Sequence, residues 1–197
     1  MTSLSDTLAI DNLVLKNRIV MPPLANDFSS PDGEVTRKHL DHYQARAAAD
    51  VGLVIVEHSY VVTEGKMTVK QLGIHNDGLV EGLTKLADII RSSGAKSAIQ
   101  LTHAGANTSQ SVCGCQPTGP SNIPVPGRDE TPRPLETDEI RALVGAYRDA
   151  ARRAKEAGFD AIEIHGAHGF LLCQFASPYT NQRSDQYGGS TENRLRF

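Results

Sequence analysis

No apolar run in this sequence approaches the roughly 18 residues of a membrane-spanning helix, and the opening stretch "MTSLSDTLAIDN" lacks a charged start followed by an apolar segment. No membrane association or secretory leader is expected, and the cytoplasm is the expected compartment. Charge of one sign is equally scarce. The 20 Lys and Arg residues stand against 23 Asp and Glu, the net charge is −3, and no stretch gathers the bases into a stripe. Nucleic acid is therefore not an expected partner. Cysteine is sparse and odd in number: Cys113, Cys115 and Cys173 contain no C-x-x-C spacing. The "CGC" at 113–115 leaves a soft-metal or disulfide reading open, but reduced thiols suit the count better.

What is there reads as a globular chain. Its 197 residues, 39% hydrophobic and 22% charged, suit one ordinary domain with a sizeable core. Four short apolar runs rich in β-branched residues are predicted as strands: "RIVMPPL" (18–24), "GLVIVEHS" (52–59), "KSAIQLTH" (96–103) and "DAIEIHG" (160–166). Helical periodicity fills the spaces between them. Leu79, Leu83, Leu86, Ala87 and Ile90 form one apolar stripe, with Asp77 as the predicted N-cap and Gly94 as the stop. Ile140, Leu143, Val144, Tyr147 and Ala151 form another, with Thr137 predicted as its cap, Asp138 and Glu139 in its first turn, and Gly158 at its end. A weaker pattern places Leu40, Tyr43 and Ala47 on one face. Residues 104–136, crowded with Gly, Pro, Ser and Asn, form an unusually long connection and are expected to make a lid or rim over a binding face. No linker or domain boundary is visible.

Strands alternating with helices predict a parallel sheet, either open and doubly wound or closed as a (β/α)8 barrel. An open nucleotide-binding sheet should show a glycine-rich turn after its first strand, where this chain has "MPPLANDFSS". A complete barrel takes about 250 residues and eight strands. The four predicted strands, and the stop at "STENRLRF" where Ser190 is placed to cap a helix, therefore predict the first half of a longer fold.

In parallel α/β proteins the site lies at the carboxyl ends of the strands. Those ends carry Asn26 after Pro22 and Pro23; Glu57, His58 and Ser59; Gln100, Thr102 and His103; and Glu163 and His165. Strand alternation puts Ala161, Glu163 and His165 on one face, pointing over the mouth, and Ile162 and Ile164 on the other, predicted to meet helices. By the same parity the Gln100 amide faces inward. Three readings of "EIHGAHGFLLCQF" (163–175) remain. His165 and His168 could ligate a metal with Glu163, sit as hydrogen-bonded structural histidines, or act as donors to an anionic oxygen. The H-x-x-H spacing lacks the i, i+4 geometry of a helical zinc motif and offers no obvious third ligand in the loop. Two imidazoles at a strand end favour donor chemistry.

These same residues carry a resemblance. "GFDAIEIHGAHGFLLCQFASPYTNQRSDQYGGSTENRLRF" resembles the fourth strand and following loop of the old yellow enzyme family, the FMN-dependent ene-reductases and NADH:flavin oxidoreductases. "LKNRIVMPPLA" and "SAIQLTHAG" resemble its first and third strands, in the right order along nearly the whole chain. The resemblance implies residues 1–197 to be the amino-terminal part, about four βα units, of a single FMN-binding (β/α)8 TIM barrel that stops before its second half. It implies FMN as cofactor, NADH or NADPH as hydride donor, and a small activated alkene as substrate. Pro23, Leu24 and Ala25 would line the flavin edge through backbone, and Gln100 would address the pyrimidine ring with the paired donor and acceptor of its amide. His165 and His168 would donate to the substrate carbonyl oxygen.

Three departures stand out. Phe170 occupies the place of the family's proton-donating tyrosine and has no proton to give, so either water or another group such as Tyr179 or Tyr60 supplies it, or the physiological reaction does not need that donor. Ala25 replaces a side chain that tunes the flavin. His58 stands where a smaller residue is usual, so it is expected to contact flavin or substrate. A half barrel is expected to hold FMN weakly, to be inactive alone, and to associate with itself or with a second half. A metal-dependent barrel hydrolase using His165, His168 and Glu163, and a non-enzymatic half-barrel assembly module, are the alternative readings.

Overall fold

A computed structural model describes residues 2–197. The chain opens with an antiparallel hairpin, β1 (Leu8–Ile10) and β2 (Leu13–Leu15), before β3 (Val20–Met21). The predicted first strand of seven residues shrinks to two, because Pro22 and Pro23 have no N–H to give a ladder. Then follow α1 (Arg37–Ala47), β4 (Leu53–Tyr60), α2 (Val80–Ser92) and β5 (Lys96–Thr102). After β5 come α3 (Gln110–Cys113), β6 (Thr118–Gly119), β7 (Arg133–Pro134), α4 (Thr137–Glu156), β8 (Ala161–Ile164), α5 (Leu171–Ala176) and α6 (Thr191–Arg194).

The main sheet has the order β3-β4-β5-β8, and β3 runs parallel to β4 with Val20 opposite Leu53. Each successive strand is reached through a helix: α1, then α2, then α4. Sequential order with helical crossovers is the βα repeat that the periodicities predicted. Contacts divide the chain into two compact units. One takes the residues up to Ser59 with Lys70–Leu101 and Ala150–Glu163; the other takes Tyr60–Val69, Thr102–Asp149 and Ile164–Phe197. The chain crosses from the first unit to the second at or near the carboxyl ends of β4, β5 and β8.

In the first unit, Tyr43, Leu72, Ile74, Leu83, Leu86 and Ile90 are buried completely. Helix α2 buries the predicted stripe, and Gly94 ends it at a φ of 75° that favours glycine. Its start differs from expectation. Asn76 takes the capping position of the leading 3-10 turn, and the Asp77 carboxylate instead meets Arg152 at 2.7 Å and Arg153 at 2.6 Å. Helix α1 buries Tyr43 and Ala47 as predicted, but His39 takes the buried place expected of Leu40. The Asp160 carboxylate accepts from Ser97 N–H at 2.9 Å and meets Lys96 at 2.8 Å, tying the start of β5 to the residue before β8. Ile162 and Ile164, predicted to lie under helices, are 41% and 48% exposed. Strand β8 is an edge strand whose neighbour in the sheet is β5 alone, so its apolar face is left open among the described residues.

The second unit packs Leu135, Ile140, Leu143, Leu171, Phe175 and Tyr187 into one cluster, with Val62 and Phe197 against it. Val144, predicted to share the α4 stripe, is 50% exposed. Thr137 is the first residue of α4 rather than its cap, and the Glu139 carboxylate closes the turn by accepting from Glu136 N–H at 2.7 Å. The long 104–136 connection is folded, with α3, the parallel β6–β7 pair and buried backbone at 104–106 and 117–121. Ser190 caps α6 as predicted, accepting from Asn193 N–H at 3.2 Å.

Polar side chains supply partners to the loop backbone here. Asn181 Nδ2 donates to the carbonyls of Phe175 and Tyr187, both at 2.7 Å. The Arg183 guanidinium, paired with Asp185, donates to the carbonyls of Pro120 and Leu135. Gln174 accepts from Ala106 N–H and donates to the carbonyls of Ala104 and Gly169. His103 is wholly buried, its Nδ1 accepts from Gly105 N–H at 2.9 Å, and burial pushes its pKa down from 6.5 to about 4.

Two predictions follow from this packing. A Cβ added at Gly52 would lie 2.5 Å from the Asn17 carbonyl oxygen and 2.6 Å from its Oδ1, and Asn17 is itself fixed by bonds to Asp50 and Ile19. Gly52→Ala should therefore lower the urea-unfolding free energy by about 1–3 kcal/mol. Since the His103 pKa is lower folded than unfolded, the unfolded state takes up its proton first. Stability is intact above pH 6.5 and should fall as pH drops from 6.5 toward about 4. The loss from this group amounts to about 3 kcal/mol at most. His103→Asn, which keeps an acceptor for Gly105, should flatten that part of the stability–pH curve.

Candidate functional site

In the first unit the site residues gather after β3 and at the ends of β4 and β5. Pro22, Leu24 and Ala25 are exposed and Pro23 half-buried, with Leu24 at 64% exposure. The following residue, Asn26, is gripped from below. Its main-chain N–H donates to Glu57 Oε2 and its Nδ2 to Glu57 Oε1, both at 2.9 Å. Glu57 is 0% exposed, its own N–H donates to Tyr43 Oη at 2.9 Å, and His39 Nε2 lies 3.3 Å from its Oε1, off the line of a hydrogen bond. The His39 ring is fixed by Thr36 N–H donating to Nδ1 at 3.1 Å. Burial, and then the nearby Glu57 charge, push the Tyr43 phenol well above its ordinary pKa.

Next to Glu57, His58 is buried, and Gln71 Nε2 meets both its Nδ1 and its carbonyl at 3.1 Å. Gln100, 8% exposed, donates from Nε2 to Glu163 Oε1, a bond that the strand parity did not by itself predict. One N–H of that amide is thereby directed, and its oxygen keeps its acceptor role.

In the second unit, His165 is buried and accepts Ala167 N–H at Nδ1 at 3.2 Å. The neutral ring then carries its proton on Nε2 and is a donor there. His168 is exposed, sits in the left-handed region at φ 55°, and its ring meets that of His165 edge-on at 5.2 Å. A non-glycine residue in this region is uncommon, and histidine is one of the types that tolerate it. Phe170, 5% exposed, packs its ring 4.6 Å from His165. Of the alternative tyrosines, Tyr179 is 64% exposed, whereas Tyr60 is buried with Lys66 Nζ 5.4 Å from its ring centre.

Among the described residues no three His, Cys, Asp or Glu side chains converge as a metal site. Cys113 Sγ donates to the Cys115 carbonyl at 3.2 Å, and all three cysteines are free thiols. No described helix is long and apolar enough to cross a membrane. Sequence reading placed Glu57 and Asn26 at strand ends without joining them, and it missed His39 and Tyr43 as their partners. The available signal was a histidine on the apolar face of α1, where an aliphatic residue is the usual choice.

The chain was compared with known proteins. An NADPH dehydrogenase of Bacillus cytotoxicus is 45% identical over 197 residues, covering 100% of this chain and 56% of the relative. The structure of morphinone reductase in complex with tetrahydroNAD matches with a TM-score of 0.93 and 36% identity, over 100% of this chain and 58% of that one. The old yellow enzyme homologue from Zymomonas mobilis matches with a TM-score of 0.91 and 34% identity, over 99% of this chain and 57% of that one. The chain thus spans about half the length of the relatives it matches, and its α/β fold is that of part of a TIM barrel. The family model described as NADH:flavin oxidoreductase / NADH oxidase matches residues 4–197, and this chain belongs to that family.

Proposed function

We propose that the intact protein is an FMN-dependent oxidoreductase that passes hydride from NADH or NADPH to the activated C=C bond of a small enone- or enoate-type molecule. When bound, FMN supplies the two-step hydride transfer that links nicotinamide to alkene. The residues present suit such a group. Leu24 and Ala25 are uncovered apolar side chains on a segment pinned through Asn26, a surface suited to a flat ring. Gln100 offers a directed amide that matches an N–H and C=O pattern. Support for the nicotinamide comes from the relative solved with tetrahydroNAD.

The observation that carries the reading is the bond from Ala167 N–H to His165 Nδ1, which leaves Nε2 to carry the proton of the neutral ring. As hydride reaches the β-carbon of an enone, negative charge grows on the carbonyl oxygen. A donor already oriented toward that oxygen stabilises it more in the transition state than in the ground state. His165 Nε2–H is that donor in this reading, and His168, held at its side by an edge-on ring contact, is the second. Phe170 packs against the His165 ring and cannot deliver a proton to the α-carbon, which leaves that step to water, Tyr179 or Tyr60.

The intact protein should purify with the visible absorption of flavin and oxidise NADH or NADPH when given cyclohexenone; a colourless protein inert toward enones would refute the reading. His165→Ala should keep the flavin colour while kcat/KM for the enone falls about 10²- to 10³-fold. Phe170→Tyr should raise enone reduction by up to about 10²-fold if proton delivery limits turnover, and steady-state rates in water and deuterium oxide measure this directly.

A further inference from the structure

We infer that Glu57 is a positioning residue for the cofactor: its buried carboxylate fixes the Pro22–Ala25 segment in the shape that FMN binds. The inference rests on the flavin reading above. It starts from a group the proposed chemistry does not use. A carboxylate at 0% exposure is costly unless donors surround it. Glu57 has two from one residue, the N–H and Nδ2 of Asn26, each at 2.9 Å, while His39 Nε2 stands 3.3 Å away, off the line of a hydrogen bond.

Two bonds from main chain and side chain of the same residue fix both its position and its orientation. The chain beyond Asn26 is pinned as well. Asp27 turns in the left-handed region at φ 54°, and Thr36 Oγ1 donates to the Phe28 carbonyl at 2.7 Å. The Phe28 ring stands edge-on to His39 at 5.9 Å. On the other side, β3 holds Val20 and Met21 in the sheet. The stretch between these anchors has no ladder donors at Pro22 and Pro23, which lack N–H groups, and it lies outside the strand. Its shape depends on the Glu57 clamp, yet Leu24 is 64% exposed. A segment held this firmly from beneath and left uncovered above is preorganised for a ligand.

The test compares FMN affinity with stability in the intact protein after its flavin has been stripped. Glu57→Ala removes the clamp, and Asn26→Asp sets carboxylate against carboxylate. The double variant Asn26→Asp with Glu57→Gln rebuilds the pair with the donor and acceptor exchanged. Each single variant should weaken FMN binding about tenfold or more in a flavin-fluorescence titration and shift the visible spectrum of the flavin that remains bound. The double variant should recover most of the affinity.

Single variants that lower the melting temperature of the stripped protein but bind FMN within about twofold of the parent would give Glu57 a purely structural role and overturn the inference. Failure of the double variant to recover affinity would overturn it too. A parent protein that takes up no FMN would bring down the flavin reading and this inference together, whereas FMN bound equally by parent and variants would bring down the inference alone.

Discussion

A parallel strand can open into a loop only if the loop's N–H and C=O groups find partners once the ladder has ended. Much of this chain's polar chemistry serves that constraint. Glu57 takes the Asn26 N–H after β3, Gln174 takes the Ala106 N–H and the Ala104 carbonyl after β5 and the Gly169 carbonyl after β8, and Asn181 and Arg183 satisfy four further carbonyls. Each acts across the chain through a fixed amide, carboxylate or guanidinium, so the loops that would carry function are held by side chains rather than by sheet. The "TNQRSDQYGG" stretch, part of what made the family resemblance specific, belongs to this set. Its Asn, Arg and Asp are occupied with backbone and with each other, which makes it a signature of loop architecture rather than of reaction chemistry.

Histidine follows the same logic with a different outcome. His39, His103 and His165 each accept a main-chain N–H at Nδ1, from Thr36, Gly105 and Ala167 respectively. In all three the bond leaves the neutral ring's proton on Nε2. At His39 that nitrogen faces the Glu57 carboxylate at 3.3 Å. At His103 the ring as a whole is buried, and that burial lowers its pKa to about 4. His165 lies just past the end of β8, where, on the proposed reading, the same bond would leave Nε2 to donate to a substrate. The local bond is common to all three, and the environment decides what it accomplishes.

This difference sets what could be read in the sequence. The four strands of the main sheet and its three crossover helices were legible, because β-branched runs and the 3.6-residue stripes of α2 and α4 are local signals. The polar strand ends were legible through parity, and Gln100 and Glu163 do share a face and a bond. What depends on distant partners was not legible. Asp77 reads as a cap until Arg152 and Arg153, some 75 residues on, claim its carboxylate. His39 shares the apolar face of α1 with Tyr43 and Ala47, and the reason for a histidine there appears only with Glu57, 18 residues on. The segment 104–136 reads as an irregular lid because Gly and Pro dominate it, but its order comes from the β6–β7 pairing and from Gln174, neither of which leaves a periodic trace.

On the proposed reading, Phe170 separates two tasks that a tyrosine would combine. Its ring lies 4.6 Å from His165 at a tilt of 59°, and its carbonyl accepts Gln174 N–H at 2.8 Å as α5 begins. Both contacts need only the ring and the backbone, so the absence of a hydroxyl costs the imidazole none of its orientation. Stabilising charge on a carbonyl oxygen requires donors fixed before the charge develops, since reorganising them during the reaction would consume the benefit. Delivering a proton to carbon afterwards can fall to water, at the cost of whatever rate a positioned acid would add. On the proposed reading, a chain that keeps the histidines and lacks the hydroxyl has kept the part of the machinery that must be built in advance.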